Sequence, residues 1–339
     1  MMSLDTIHIA SAVEAARQSD VAILFCGSSS ASLARDYNET NCGEGFDLAD
    51  LALTGAQGKL IKAIHATGKP VILVLVTGKP FSIAWEKKHI PAILIQWYAG
   101  EQEGSSIANI LFGKTNPSGH LTVSFPQSSG HLPAYYNYLP TDRGFYHKPG
   151  SYEQPGRDYV FSSPGPLWAF GHGLTYTTFN YTDMQIQQSV DSIKVFVTVK
   201  NTGRWAGKAV PQLYVRDVFS SISTPVKQLK AFNKVALEPG ETTRVPLHFA
   251  VQDLALTDEA GKTMVEPGSF EIMIGDASDH ILLKQTISIG QNMAVSPCSI
   301  KEQLPEEIGK GNIIHIKGVV RDVQATPVDK VEIYSTAQQ

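Results

Sequence analysis

An α/β layer built on a mostly parallel sheet, followed by an all-β sandwich, is the fold class that the sequence predicts. Three observations predict it. Between residues 8 and 130 short apolar runs alternate with segments of helical period. From about residue 190 the period falls to two. A stretch rich in Pro, Gly and Tyr, residues 131–172, separates the two regimes.

The elements follow in order. Ile9, Val13 and Ala16 stand at helical spacing and precede the apolar run Val21 to Cys26. Leu60, Ile61 and Ile64 mark a second helix before the run VILVLV, Val71 to Val76. The third cycle is the run Ala92 to Gln96 and a helix carrying Ile107, Ile110 and Leu111. Strands apolar on both faces and separated by helices are what a parallel sheet covered on both sides requires. The chain opens directly on a helix and strand, as if joining a sheet partway through, so the expected three-layer sandwich is N-terminally incomplete.

Residues 131–172 show no sustained period, and a connection of that length is either functional or wrapped between domains. Ile193, Val195, Val197 and Val199 then alternate with polar residues and stop at Asn201-Thr202-Gly203. Further short runs, with Glu-Pro-Gly turns at 238–240 and 266–268, predict a sandwich over 173–290. Residues 291–339 read as a linker and one last hairpin, from Ile313 to Val320 and Val331 to Ser335.

Composition limits the functional classes. At 339 residues there is room for about two domains of roughly 150 residues each. With 42% hydrophobic and 18% charged residues the chain has a folding composition. A net charge of -4 lacks the basic excess that binds a phosphate backbone, so nucleic acid is not an expected partner. The apolar runs are far short of the roughly 20 residues that span a bilayer, and the start lacks the pattern of a signal peptide. No membrane partner is expected. Cys26, Cys42 and Cys298 are widely spaced, without the pairing of a zinc site, and read as apolar or free thiols. No cofactor or metal is expected.

Parallel sheets bind ligands beyond the carboxyl ends of their strands, so the chemistry is sought there. After Cys26 comes a long polar segment holding Asp36, Glu39, Glu44, Asp47 and Asp50. One reading is a solvated loop in which Asp50 or Thr54 caps the next helix. Nucleotide binding is a weaker one, because the glycine fingerprint GxGxxG is absent and Gly27 is followed by serines. Glu44 is distinct among these acids because Gly43 and Gly45 flank it and allow the backbone to project it from a loop tip. A carboxylic acid partly withdrawn from water holds its proton to higher pH and can donate it near neutrality.

The run CGEGFDLADLALTGAQ, Cys42 to Gln57, resembles the acid/base loop of glycoside hydrolase family 3, the β-glucosidase and β-xylosidase family. GKPVILVLVTGKPFSIAW, QWYAGEQEGSSIANILFGKTNPSGHLTVSFPQSSGHLPAYYNY and PLWAFGHGLTYTTFNY follow in the family's order, so the resemblance covers residues 8 to about 290. It implies a partial family α/β domain over 1–130 and a fibronectin type III-like domain over 173–290.

It also implies a division of labour. A (β/α)8 barrel, for which this chain has no matching segment, supplies the nucleophilic Asp and most of the sugar site in the family. The α/β domain lends the acid/base, whose match here is Glu44; Glu39 is the second candidate because loop length varies. The implied function is therefore the C-terminal part of a retaining β-glucosidase-like hydrolase, with a β-linked glucoside or oligosaccharide as substrate. A separate barrel polypeptide is the implied partner, and the chain by itself is expected to have no turnover. Relatives of full length are commonly exported, which implies a periplasmic or extracellular location. Two departures are visible: Leu48 follows Asp47 where the family often has Arg, and LTG replaces LPG before the helix. A noncatalytic carbohydrate-binding or assembly subunit is the alternative.

Other residues have simpler readings. Trp97 and Tyr98 read as packing at a strand end, with Glu101 near the next helix start, or as a sugar-stacking surface. Asn116-Pro117-Ser118-Gly119 reads as a turn. Trp168, Phe170, His172 and Tyr176 read as an aromatic cluster between the domains. His65, His89, His120 and His131 lack metal spacing and read as surface or capping residues. The sequons at Asn38 and Asn180 matter only on a eukaryotic secretory route.

Overall fold

The computed structural model describes residues 5–28, 48–140 and 162–290, together with short strands within 293–333. The first unit opens with α1 (Ile9–Arg17), β1 (Ala22–Gly27), α2 (Gln57–His65), β2 (Val71–Val76), α3 (Ala84–His89), β3 (Ala92–Gln96) and α4 (Glu103–Leu111). The strands form one parallel sheet in the order β1-β2-β3, with Leu24 opposite Leu73 and Leu73 opposite Ile93. This is the α/β layer that the apolar runs predict. Helix α3, AWEKKH, is an addition that the sequence pattern does not announce: six residues are too few to establish a period.

One face of the sheet carries the core. Ala22 and Cys26 of β1, Val71, Leu73 and Leu75 of β2, and Ile61 and Ile64 of α2 are buried together with Phe81 and Ile83. On the opposite face of β1, Ile23 is 37% exposed and Phe25 61% exposed. Among the described residues β1 pairs only with β2, so that face and one edge of β1 stand open together.

The last part of the Pro/Gly/Tyr-rich connection is integral to this unit. Leu121 N donates to His172 O, Phe125 N to Trp168 O, Leu167 N to Phe125 O and Gly171 N to Leu121 O, at 2.6–2.8 Å. Residues 167–172 thus lie along 121–125 before the chain leaves for the second unit.

The second unit is a sandwich. One sheet joins β4 (Phe179–Gln188), β5 (Ser192–Asn201) and a later strand, Thr242–Ala250. Between them the chain forms β6 (Gly207–Ala209), β7 (Gln212–Asp217), β8 (Gln228–Phe232) and β9 (Val235–Leu237), so that later strand is β10. After it come β11 (Leu256–Thr257), β12 (Thr263–Val265), β13 (Gly268–Ala277) and β14 (His280–Ile289). The facing sheet has the order β14-β13-β7-β8 and is antiparallel throughout.

Period two explains the core: Ile193, Val195, Val197 and Val199 all point inward, and Val195 and Val197 stand opposite Leu247 and Val245 of β10. They meet Leu213 and Val215 of β7 and Phe270, Ile272 and Ile274 of β13. Pro246 is accommodated because β10 pairs only with β5 in its sheet, so its missing N–H faces the edge. Near the C terminus Ile314–Ile316 pairs antiparallel with Val331–Ile333, and Val320–Arg321 with Pro327–Val328. Among the described residues no helix is long and apolar enough to cross a membrane.

Leu213 is fully buried between the sheets. Leu213→Ala is expected to destabilise the chain by about 2–5 kcal/mol, whereas Leu282→Ala, on a side chain 38% exposed, should change stability far less. Urea unfolding followed by circular dichroism checks both.

Candidate functional site

All strands of the parallel sheet end on one edge, and the backbone there is shaped by Gly27. Its φ is +141°, and a Cβ at this position would lie 1.8 Å from the Val76 carbonyl oxygen, so only glycine fits. Past it, Ser28 N donates to Val76 O at 2.8 Å. Tyr98, at the end of β3, reaches across: its hydroxyl is 3.0 Å from Ser28 Oγ and donates to Ser28 O at 3.3 Å. Gly78 leaves room for that ring, since a Cβ there would come within 2.8 Å of it. At the end of β2 the buried Thr77 hydroxyl donates to Lys79 O at 2.6 Å and accepts from Lys79 N at 3.0 Å.

The carboxamide of Gln57, the first residue of α2, pairs with the main chain of Gly27. Gly27 N donates to Oε1 at 2.7 Å, and Nε2 donates to Gly27 O at 3.0 Å and to Thr54 O at 3.1 Å. Further on, Leu51 N donates to Ser129 Oγ at 3.0 Å, and that hydroxyl donates to Asp50 Oδ1 at 3.1 Å. Leu51 O accepts from Ser82 N at 2.9 Å. Ser129 opens a single 3-10 turn, Ser129–His131, whose last residue places Nε2 3.0 Å from Ser162 Oγ.

The electrostatics follow from these contacts. Hydrogen bonds from Ala52 N and from Ser129 hold the Asp50 carboxyl below the usual carboxylate range. Burial pushes the Cys26 thiol up to about 11, with Glu86 adding to the effect, so this cysteine is the inert buried thiol that the sequence suggests. Burial lowers the pKa of His131. Burial also lowers that of His172, against the opposing pull of Asp279.

Of the acids singled out between Cys26 and Gln57, only Asp50 falls among the described residues. Asp36, Glu39, Glu44 and Asp47, together with Cys42, Cys298 and Asn38, lie outside them. Asp50 and Thr54 do not cap α2: Ala56 occupies the N-cap position, and Asp50 spends its carboxylate on Ala52 N and Ser129. Glu101 lies outside α4, whose first turn carries Glu103 instead. Trp97 packs into the core, with its ring 6.2 Å from that of Phe125, while Tyr98 is 46% exposed at the strand ends.

The expected aromatic cluster is divided between the two units. Trp168 packs edge-on to Phe125 in the α/β core, and Phe170 stacks on Tyr136 at 4.2 Å, which in turn meets Tyr214 of β7 edge-on. Tyr176 donates to Ile110 O. The histidines are structural in more specific ways than surface placement: His65 and His89 pack with Trp85, and His131 is buried. Among the described residues no cluster of His, Cys, Asp or Glu could hold a metal ion.

Residues that sequence reasoning passed over carry much of the seam. Asn116 Oδ1 accepts from Thr175 Oγ1 and Tyr176 N, and its Nδ2 donates to Ala206 O, so the supposed simple turn braces the second unit. Gln212 Nε2 donates to Gly171 O and Asp276 O, and its Oε1 accepts from Tyr214.

A matching family model assigns the class. Residues 5–176 match the glycosyl hydrolase family 3 C-terminal domain, and residues 209–278 match a fibronectin type III-like domain. The chain belongs to glycosyl hydrolase family 3. It is 40% identical over 286 residues to a β-xylosidase of Formosa agariphila, covering 82% of this chain and 36% of that relative. It is 39% identical to a periplasmic β-glucosidase of Salmonella typhimurium, covering 80% of this chain and 34% of the relative. A solved β-glucosidase of Listeria innocua in complex with glucose aligns at 32% identity with a TM-score of 0.75, over 85% of this chain and 39% of that one. The chain thus spans little more than a third of the length of these relatives.

The lowered pKa values set a pH dependence. Neutral His131 favours the fold, and this stabilisation is complete above the unfolded pKa near 6.5 and is lost as pH falls through the lower folded value. Chain stability is therefore expected to decline from pH 6.5 toward 5, and His131→Gln should flatten that decline. Urea midpoints across this range check it.

Proposed function

We propose that this chain is the acid-bearing part of a retaining β-glucosidase-like hydrolase, with Glu44 as general acid/base. The family match supports the reaction class, and the strand-end geometry supports the residue. Ser28, which precedes residues 29–47, stands beside Val76 and Tyr98, and Leu51, which follows them, is tied to Ser82. Both ends of the segment carrying Glu44 are thereby held at the edge where an open parallel sheet meets its ligands. That is the observation on which the reading rests.

Retaining hydrolysis needs two carboxyl groups about 5 Å apart, one attacking the anomeric carbon and the other protonating the departing oxygen. The two must differ in environment, because the donor has to keep its proton while the nucleophile stays ionised. In this reading the α/β unit reaches over the mouth of a family barrel. The barrel contributes the nucleophilic Asp and most sugar contacts. After glycosyl transfer to that Asp, Glu44 as carboxylate takes a proton from water, which attacks the anomeric carbon and releases the sugar with its original configuration. Glu39 is the second candidate for the donor.

The open apolar face of β1, with Ile23 and Phe25, is a surface on which further polypeptide would pack. The chain alone has no turnover in this account, since the covalent step lacks its nucleophile. The domain division at 1–130, 131–172, 173–290 and 291–339 and a periplasmic or extracellular location belong to the same proposal. The substrate class is β-linked glucosides or related oligosaccharides.

Mixing this chain with a family barrel polypeptide should yield β-glucosidase activity that neither part has alone. In the mixture, Glu44→Gln should slow alkyl glucosides, whose leaving groups need the proton, by about 10²–10⁴-fold, and aryl glucosides with acidic leaving groups far less. Initial rates on both substrate types provide the check; equal losses would contradict the assignment.

A further inference from the structure

The chain holds four tryptophans. Trp85, Trp97 and Trp168 pack against the α/β core, whereas Trp205 is 65% exposed on the turn that joins β5 to β6. That turn is tightly fixed. Asn201, fully buried at its base, accepts at Oδ1 from Thr177 Oγ1 at 2.6 Å and from Gly203 N at 3.1 Å. Its Nδ2 donates to Trp205 O at 2.8 Å and to Leu237 O at 3.0 Å, so every bond this carboxamide makes holds the turn or its footing. A glycine at each end allows the close approach: a Cβ at Gly203 would lie 2.8 Å from Thr178 N, and one at Gly207 would lie 2.7 Å from Thr177 Cγ2. Between these clamps Arg204 and Trp205 are exposed. An indole left in water adds nothing to the core, and a rigid scaffold that presents one is the usual arrangement of a binding loop.

A second ring stands beside the turn. The Asn116 carboxamide donates to Ala206 O at 2.8 Å and accepts from Tyr176 N at 2.7 Å, so the residues next to Trp205 and the backbone of Tyr176 meet at one side chain. The Tyr176 hydroxyl is tied to Ile110 O at 2.9 Å while the side chain stays 47% exposed. Two aromatic side chains on fixed backbone therefore offer flat apolar faces with polar edges, at little cost in ordering when a ligand lands on them.

The charge around them is of one sign. Segments 110–120, 173–182 and 202–210 contain Lys114, Arg204 and Lys208 and no Asp or Glu, although the whole chain has a net charge of -4. All three cations are exposed, and none joins an ion pair with a carboxylate among the described residues. We propose that the Gly203–Gly207 turn, with Tyr176 beside it, is a binding platform for an acidic oligosaccharide. The apolar C–H face of a pyranose ring matches an exposed indole or phenol, and its carboxylate matches the planar fork of Arg204 next to the indole. Polar Thr115, Asn116 and Thr175 interrupt the apolar groups, which suits a hydroxylated ligand better than the continuous apolar centre of a protein interface.

Titration of the full chain with hexagalacturonate, followed by tryptophan fluorescence and calorimetry, tests the platform, with cellohexaose as the neutral probe. Hexagalacturonate should shift the tryptophan emission and bind about tenfold more tightly than cellohexaose at low salt, a preference that shrinks as salt is added. Trp205→Ala should weaken binding about tenfold and abolish the shift in emission, while Trp205→Phe, which keeps a ring, should retain most of the affinity. Arg204→Gln should weaken hexagalacturonate about three- to tenfold and leave cellohexaose unchanged. Melting curves by circular dichroism identify any variant that loses its fold, and the assignment then rests on Trp205→Phe and Arg204→Gln. Absence of binding, equal affinity for the two probes, or affinity unchanged in both Trp205→Ala and Arg204→Gln would overturn the proposal. A dimer of the parent chain that Trp205→Ala converts to monomer would overturn it too, by assigning the turn to contact between copies.

Discussion

The contact between Gly27 and the Val76 carbonyl governs this structure. A parallel strand normally ends where its neighbour's hydrogen bonds end, but at Gly27 the backbone turns with φ at +141° and lies against Val76 so closely that no side chain could be inserted. The Gln57 carboxamide then supplies the hydrogen bonds that a further strand residue would have made. Through this turn the α/β layer, whose core is apolar, fixes the backbone at the end of β1.

The seam between the two units is built differently. It is made by carboxamides and main-chain carbonyls as much as by rings: Asn116 makes three hydrogen bonds and Gln212 four, most of them across long stretches of sequence. Lys87 donates to Leu167 O and lies over the Trp168 ring. Burial lowers its pKa, against an opposing influence from Asp279. Each such bond contributes only about 0.5–1.5 kcal/mol net, but an unpaired partner left buried would cost more. The seam therefore favours one arrangement by penalising alternatives.

The fold was largely legible in the sequence because its main signals are local. Val71 to Val76 is apolar without interruption and forms the central strand; Ile193 to Val199 alternates and lines the sandwich interior. Helix α3 escaped notice for lack of length. The family resemblance points to Glu44 between its glycines, which lies outside the described residues. Gln57 and Ser129 gave no pattern, because their partners lie 30 and 78 positions away and a single Gln or Ser has no periodicity. Asn116 was hidden in a turn motif whose simpler explanation, Pro and Gly, sufficed.

The account turns on whether the Glu44 carboxyl meets the nucleophile of a barrel across a domain seam. A crystal structure of this chain assembled with a family barrel polypeptide and a glucose analogue measures that directly. The account predicts carboxyl groups about 5 Å apart on either side of the anomeric carbon. A separation of about 6.5–9.5 Å, or a Glu44 side chain turned away from the barrel, would contradict it.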